Sequence, residues 1–178
     1  MKAILVPTDG SSTAEKALEV ALDLAQQHKA AVTLFHVLLK DKEPDELLRL
    51  PELEAAGADV VDTLRKISRA PEPEHTAEEL MAGRNLPSRP VGEDLLRRIG
   101  EHILKRAQAQ AAARGVPVET LELASDRPAE AIVAAARANS ADAIVMGSRG
   151  LRYIEAISYG SVSQEVCRTA NCTCVAVH

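Results

Sequence analysis

The chain has 178 residues, 46% of them hydrophobic and 26% charged, with a formal net charge of −5. That length accommodates one domain, residues 1–178, with a core of several strands and helices. Scattered basic residues, one Phe, two Tyr and no Trp argue against nucleic acid as a partner, and no run approaches the roughly 18 apolar residues that cross a bilayer.

Met1-Lys2-Ala3-Ile4-Leu5-Val6-Pro7 carries one basic residue and an apolar run too short for a signal peptide. It reads as a first strand in a cytoplasmic protein with no membrane insertion. Thr8-Asp9-Gly10-Ser11-Ser12 follows as a polar turn with helix-capping residues. Ala14, Ala17, Leu18, Ala21, Leu24 and Ala25 then recur at helical spacing. The run Ala31–Val37 is rich in β-formers and closes a βαβ unit, whose crossover is expected to be right-handed.

From about residue 38 to 92 the rhythm breaks. This segment holds Pro44, Pro51, Pro71, Pro73, Pro87 and Pro90, six of the nine prolines. A structureless loop of that length is unusual in a compact domain. Leu53, Ala56, Val60, Leu64 and Ile67 lie roughly on one face of a predicted helix over 52–69. The segment, about 40–92, is therefore expected to be a partly helical insertion: a surface excursion, a lid over a ligand site or a dimer contact.

The pattern resumes near residue 93. Leu96, Ile99, Ile103, Ala107 and Ala111 mark a helix stopped by Gly115 and Pro117. Val118–Leu123, with interleaved charges, reads as a strand exposed on one side. Asp126 is placed to cap a helix bearing Ala129, Ile132, Val133 and Ala136. An apolar strand at 143–146, a helix at 160–170 and a last strand at 173–177 complete the chain. Five strands alternate with four helices, the pattern of a parallel sheet covered on both faces; no second core is evident. The three cysteines, Cys167, Cys172 and Cys174, lack a zinc-type spacing and read as buried free thiols, with no metal held by the protein itself.

The informative stretch is Met146-Gly147-Ser148-Arg149-Gly150, followed after nine residues by Gly160-Ser161-Val162-Ser163. The first part leaves the carboxyl end of an apolar strand, where open α/β sheets bind ligands. The second opens a helix, whose N-terminus offers unpaired N–H groups and the positive end of a dipole. Glycine lets backbone approach phosphate oxygens closely, and Ser161 and Ser163 supply hydroxyls. The same glycines also suit a plain turn and a helix cap. Neither a Walker pattern nor a G-x-G-x-x-G after the first strand is present.

Gly147-x2-Gly150-x9-Gly160-Ser161 resembles the nucleotide-binding signature of the universal stress protein family, in its ATP-binding branch. Ile4-Leu5-Val6-Pro7-Thr8-Asp9-Gly10-Ser11, Leu34-Phe35-His36-Val37 and the end from Val162 through Cys172 are similar to the family's other hallmarks. The resemblance covers about residues 1–40 and 95–178. The insertion departs from it, as does Thr173, where many relatives have proline. It implies an adenine-nucleotide alpha-hydrolase-like fold, an open five-stranded parallel sheet in the order 3-2-1-4-5, and a homodimer formed along the last strand. By motif position, Pro7, Thr8, Asp9 and Val37 line the adenosine, with Asp9 at the ribose. Met146, Gly147, Arg149, Gly150, Gly160, Ser161, Val162 and Ser163 surround ribose and phosphates. The ligand is ATP, ADP or AMP, with Mg²⁺ or Mn²⁺ held mainly by the phosphates.

Plainer roles stand beside these: Asp9 as a helix cap, Arg149 as a solvated charge, His36 as a buried structural histidine, Met146 as packing. The implied function is a stress-response regulator whose nucleotide gates a dimer surface or the insertion, read by an unknown protein partner. A slow ATPase or phosphotransferase is the alternative, as is a divergent member that has lost its nucleotide. No general base or lysine accompanies the glycine loop, so weak hydrolysis is the most the sequence supports.

Overall fold

The computed structural model describes residues 1–51, 53–71, 87–125, 127–150 and 161–178. Strand β1 (Ala3–Pro7) leads into helix α1 (Ser12–His28) and strand β2 (Ala31–Val37). Three short helices follow, α2 (Pro44–Leu47), α3 (Leu53–Ala56) and α4 (Ala58–Arg69). Then come α5 (Glu93–Ala113), β3 (Val118–Leu123), α6 (Pro128–Ala138), β4 (Ala143–Gly147), α7 (Ser161–Thr169) and β5 (Thr173–Val177). All pairings are parallel, and the five strands lie in the order β3-β2-β1-β4-β5, as the resemblance implies.

Alternation along each strand sends successive side chains to opposite faces. Ile4, Val6, Val32, Leu34 and Val145 pack against α1 and α5. Leu5, Phe35, Ile144 and Met146 pack on the other face with Ala129, Ile132 and Ala136 of α6 and Val166 of α7. The strands are therefore apolar on both sides, which is why their sequences read as continuous runs. β3 is the exception, because it is an edge: Val118, Thr120 and Glu122 turn half inward, while Leu121 and Leu123 remain exposed.

The excursion after β2 has an apolar cluster of its own, which the sequence pattern did not reveal. Leu47, Leu50, Leu53, Ala56, Val60 and Leu64 are buried with Leu38, Leu39 and the Leu96, Ile99 and Ile103 side chains of α5. The single helix expected over 52–69 is broken. Gly57 takes φ +109, a non-helical conformation that separates α3 from α4. The expected cap Asp126 lies outside the described residues; Arg127 occupies the N-cap position, its N–H donating to Ser125 Oγ at 3.1 Å.

Candidate functional site

In the strand order β3-β2-β1-β4-β5, consecutive chain order reverses between β1 and β4, so the loops at their carboxyl ends part and leave a crevice. Both loops carry residues singled out from the sequence. Pro7 is buried at the end of β1. The Thr8 N–H donates to the Phe35 carbonyl at 2.9 Å, which ties the turn to β2. Asp9 is half-buried; its Oδ1 accepts the Ser11 N–H at 3.0 Å. The N-cap of α1 itself is Ser11, whose Oγ accepts from the Ala14 N–H at 3.3 Å. Asp9 thus shapes the turn without being the cap.

The other Asp9 oxygen faces Gly150. A Cβ built on Gly150 would stand 2.7 Å from Asp9 Oδ2. The carboxylate occupies space that a side chain at 150 would claim, and this brings the β1 and β4 loops together at one point. Gly147 meets a harder surface. Its Cβ would lie 2.8 Å from Thr13 Oγ1 and 2.9 Å from the Ala14 nitrogen, backbone of the first turn of α1.

Two clamps fix the β4 loop. The Thr13 hydroxyl donates to the Arg149 carbonyl at 2.5 Å, with Ser11 Oγ 3.2 Å from Thr13 Oγ1. On the other side the Ser148 N–H donates to the Val177 carbonyl at 2.7 Å. Ser148 is fully buried, its Oγ 2.9 Å from His178 Nδ1. The Ser163 hydroxyl donates to the Ser148 carbonyl at 2.8 Å, so the first turn of α7 is anchored to the same loop.

Among the sequence candidates, the structure brings Pro7, Thr8, Asp9, Met146, Gly147, Arg149, Gly150 and Ser163 to this end of the sheet. Val37 closes β2 at the same edge and is half-buried. Met146 is buried in the core, in keeping with its packing role, and Val162 packs against the same cluster. Gly160 and the Ser161 side chain lie outside the described residues. Thr13, Ser148 and His178 were not singled out from the sequence. The Thr13 hydroxyl binds a backbone carbonyl of a distant segment, hinted at only by the Ser11-Ser12-Thr13 run of hydroxyls. Ser148 and His178 meet across 30 residues with no pattern to link them. Among the described residues, no three His, Cys, Asp or Glu side chains are placed to hold a metal ion, and no helix is long and apolar enough to cross a membrane.

The model of the universal stress protein family matches residues 1–178. The chain is 33% identical over 172 residues to a universal stress protein of Thermus aquaticus, covering 96% of this chain and 94% of that one. Its fold is similar to that of the universal stress protein from Archaeoglobus fulgidus in complex with dAMP, with TM-score 0.57, 19% identity and coverage of 100% and 98%. A universal stress family protein from Arabidopsis thaliana with AMP bound gives TM-score 0.57 and 16% identity, with coverage of 99% and 91%.

Proposed function

The chain belongs to the universal stress protein family, and from that premise we propose that it binds an adenine nucleotide in the crevice between the β1 and β4 loops. The observation that carries this reading is the Asp9 carboxylate directed at Gly150 between two fixed loops. A carboxylate so placed accepts hydrogen bonds from a ribose diol. Pro7, Thr8 and Val37 border the base side. Gly147, Arg149, Gly150 and the N-terminal turn of α7 border the phosphates, where N–H groups and the helix dipole favour an anion. The dAMP and AMP complexes of the two similar folds support an adenine ligand over other anions. A divalent ion travelling with the nucleotide would sit on its phosphates.

The test is calorimetry with AMP, ADP and ATP, together with mass spectrometry of any co-purifying nucleotide. Gly150→Ala pushes Asp9 aside, and a hydrogen bond to a charged group is worth about 1.5–3 kcal/mol, so Kd should rise roughly tenfold to a hundredfold. Wild-type protein that takes up no adenine nucleotide overturns the reading. Phosphate release during incubation with ATP would make the protein a slow ATPase.

The regulatory half of the proposal is that occupancy is read elsewhere. Gly10 lies beside Asp9, and its Cβ position is 3.0 Å from Leu50 of the excursion and 3.1 Å from Ile103 of α5. A shift of the turn is felt directly in the excursion, where a protein partner would sense it. A second surface is the β5 edge. The Thr173 N–H and Val177 carbonyl bond toward β4, so Cys174 and Ala176 turn their backbone groups outward, ready to pair with a second copy. Sedimentation should find a dimer, and Ala176→Pro, which removes an outward N–H, should yield monomer. An undiminished dimer would exclude this edge.

A further inference from the structure

His36 is fully buried in the middle of the polar end of the sheet. Its Nδ1 lies 2.9 Å from the Thr8 carbonyl. A carbonyl only accepts, so Nδ1 carries the hydrogen, and in the neutral ring Nε2 presents a bare lone pair. That lone pair is buried and has no hydrogen-bond partner among the described residues. Directly opposite, in register on β3, stands Glu122. Its Oε1 accepts from Arg97 Nη1 at 3.0 Å, but Oε2 is buried and equally unpartnered. Both atoms border one spot on α5: the point a Cβ would occupy at Gly100 is 2.9 Å from His36 Nε2 and 2.7 Å from Glu122 Oε2.

Two buried acceptors beside each other with no donor is an unfavourable arrangement. One proton resolves it. A hydronium ion gives its proton to Nε2, leaving water, and the imidazolium then faces the Glu122 carboxylate as its countercharge while Nδ1–H stays on Thr8. We propose that His36 and Glu122 form a buried proton-binding site, kept open by Gly100, whose occupancy sets the position of the Thr8–Asp9 turn.

The charges around the ring decide when the proton enters. Burial holds His36 below its ordinary range, opposed by its bond to Thr8 and by the carboxylates of Glu122 on β3 and Asp9 in the turn. From α5, Arg97 binds both Glu122 and Glu93, and Lys40 after β2 binds Glu93. The Glu15–Arg106 pair of α1 and α5 lies beyond Thr8 and Gly10. Arg98 of α5 points away, to Asp59. Uptake therefore falls on the acid side of an ordinary histidine. Once charged, the ring attracts Asp9, the group assigned to the ribose, and nucleotide affinity drops. This last consequence rests on the nucleotide reading; the proton site does not.

The experiment is an NMR titration of the nucleotide-free protein, with the His36 ring nitrogens assigned through bonds from its backbone. Nε2 should titrate below the ordinary histidine range, and the amides of Asp9 and Gly10 should move with the same midpoint. Glu122→Gln removes an attracting charge and should lower the midpoint; Arg97→Gln frees the Glu122 charge and should raise it. A midpoint that neither variant moves, or turn amides that ignore it, overturns the proposal. Adenosine, which has no phosphate to titrate, should lose affinity severalfold across the same midpoint. If adenosine fails to bind while the ring and turn titrate as stated, the nucleotide reading falls and the proton site stands.

Discussion

Gly147 and Gly150 belong to the same loop, yet a side chain at each meets a different kind of neighbour. At Gly150 it meets the end of the Asp9 side chain, which can give way; at Gly147 it meets the backbone of α1. Gly147→Ala is therefore expected to act on stability, costing about 1–3 kcal/mol as β4 is pushed off α1, visible as a lower urea midpoint. Gly150→Ala should leave that midpoint nearly unchanged while it weakens binding. The sequence marks both glycines by their spacing, and it marks Asp9 by its place after β1. It does not separate a glycine needed for packing from one needed for a ligand, since that depends on which element lies opposite. Thr13 escaped for the same reason: its partner, the Arg149 carbonyl, is a backbone atom with no signature of its own.

At the scale of elements, β1, β2 and β4 were legible because they are buried on both faces, and the resulting apolar runs are hard to mistake. The excursion was not. Its apolar positions keep helical spacing across Gly57, so periodicity alone joins what a positive φ divides. β3 also departs from the simple pattern, turning Glu122 inward beside His36 and Leu121 outward, because Arg97 of α5 receives the carboxylate. The excursion offers a contrast between two leucines. Leu50 and Leu64 are both buried, and truncation of either should cost about 2–5 kcal/mol. Only Leu50 touches the Gly10 position. Leu50→Ala should weaken nucleotide binding as well as stability, whereas Leu64→Ala should lower stability alone; denaturation and calorimetry on the two variants check this.

For the whole molecule, the burial of His36 gives stability a pH dependence of definite sign. The unfolded chain binds a proton near pH 6.5 that the native ring resists, since burial lowers its pKa. The contribution is complete above that value and is lost as pH falls through it toward the folded pKa, with a slope of up to about 1.4 kcal/mol per pH unit. Urea midpoints should decline on acidification, and His36→Gln should flatten that part of the curve. The strand order itself was legible only through family resemblance, because apolar runs do not say which strand lies at an edge. One helix carries a consequence for the molecule's melting. α5 gives Leu104, Ala107 and Ala111 to the sheet's core, and Leu96, Ile99 and Ile103 to the excursion's. Neither cluster keeps its wall if the other comes apart, so heat should find one cooperative unit here, with the calorimetric and van't Hoff enthalpies equal.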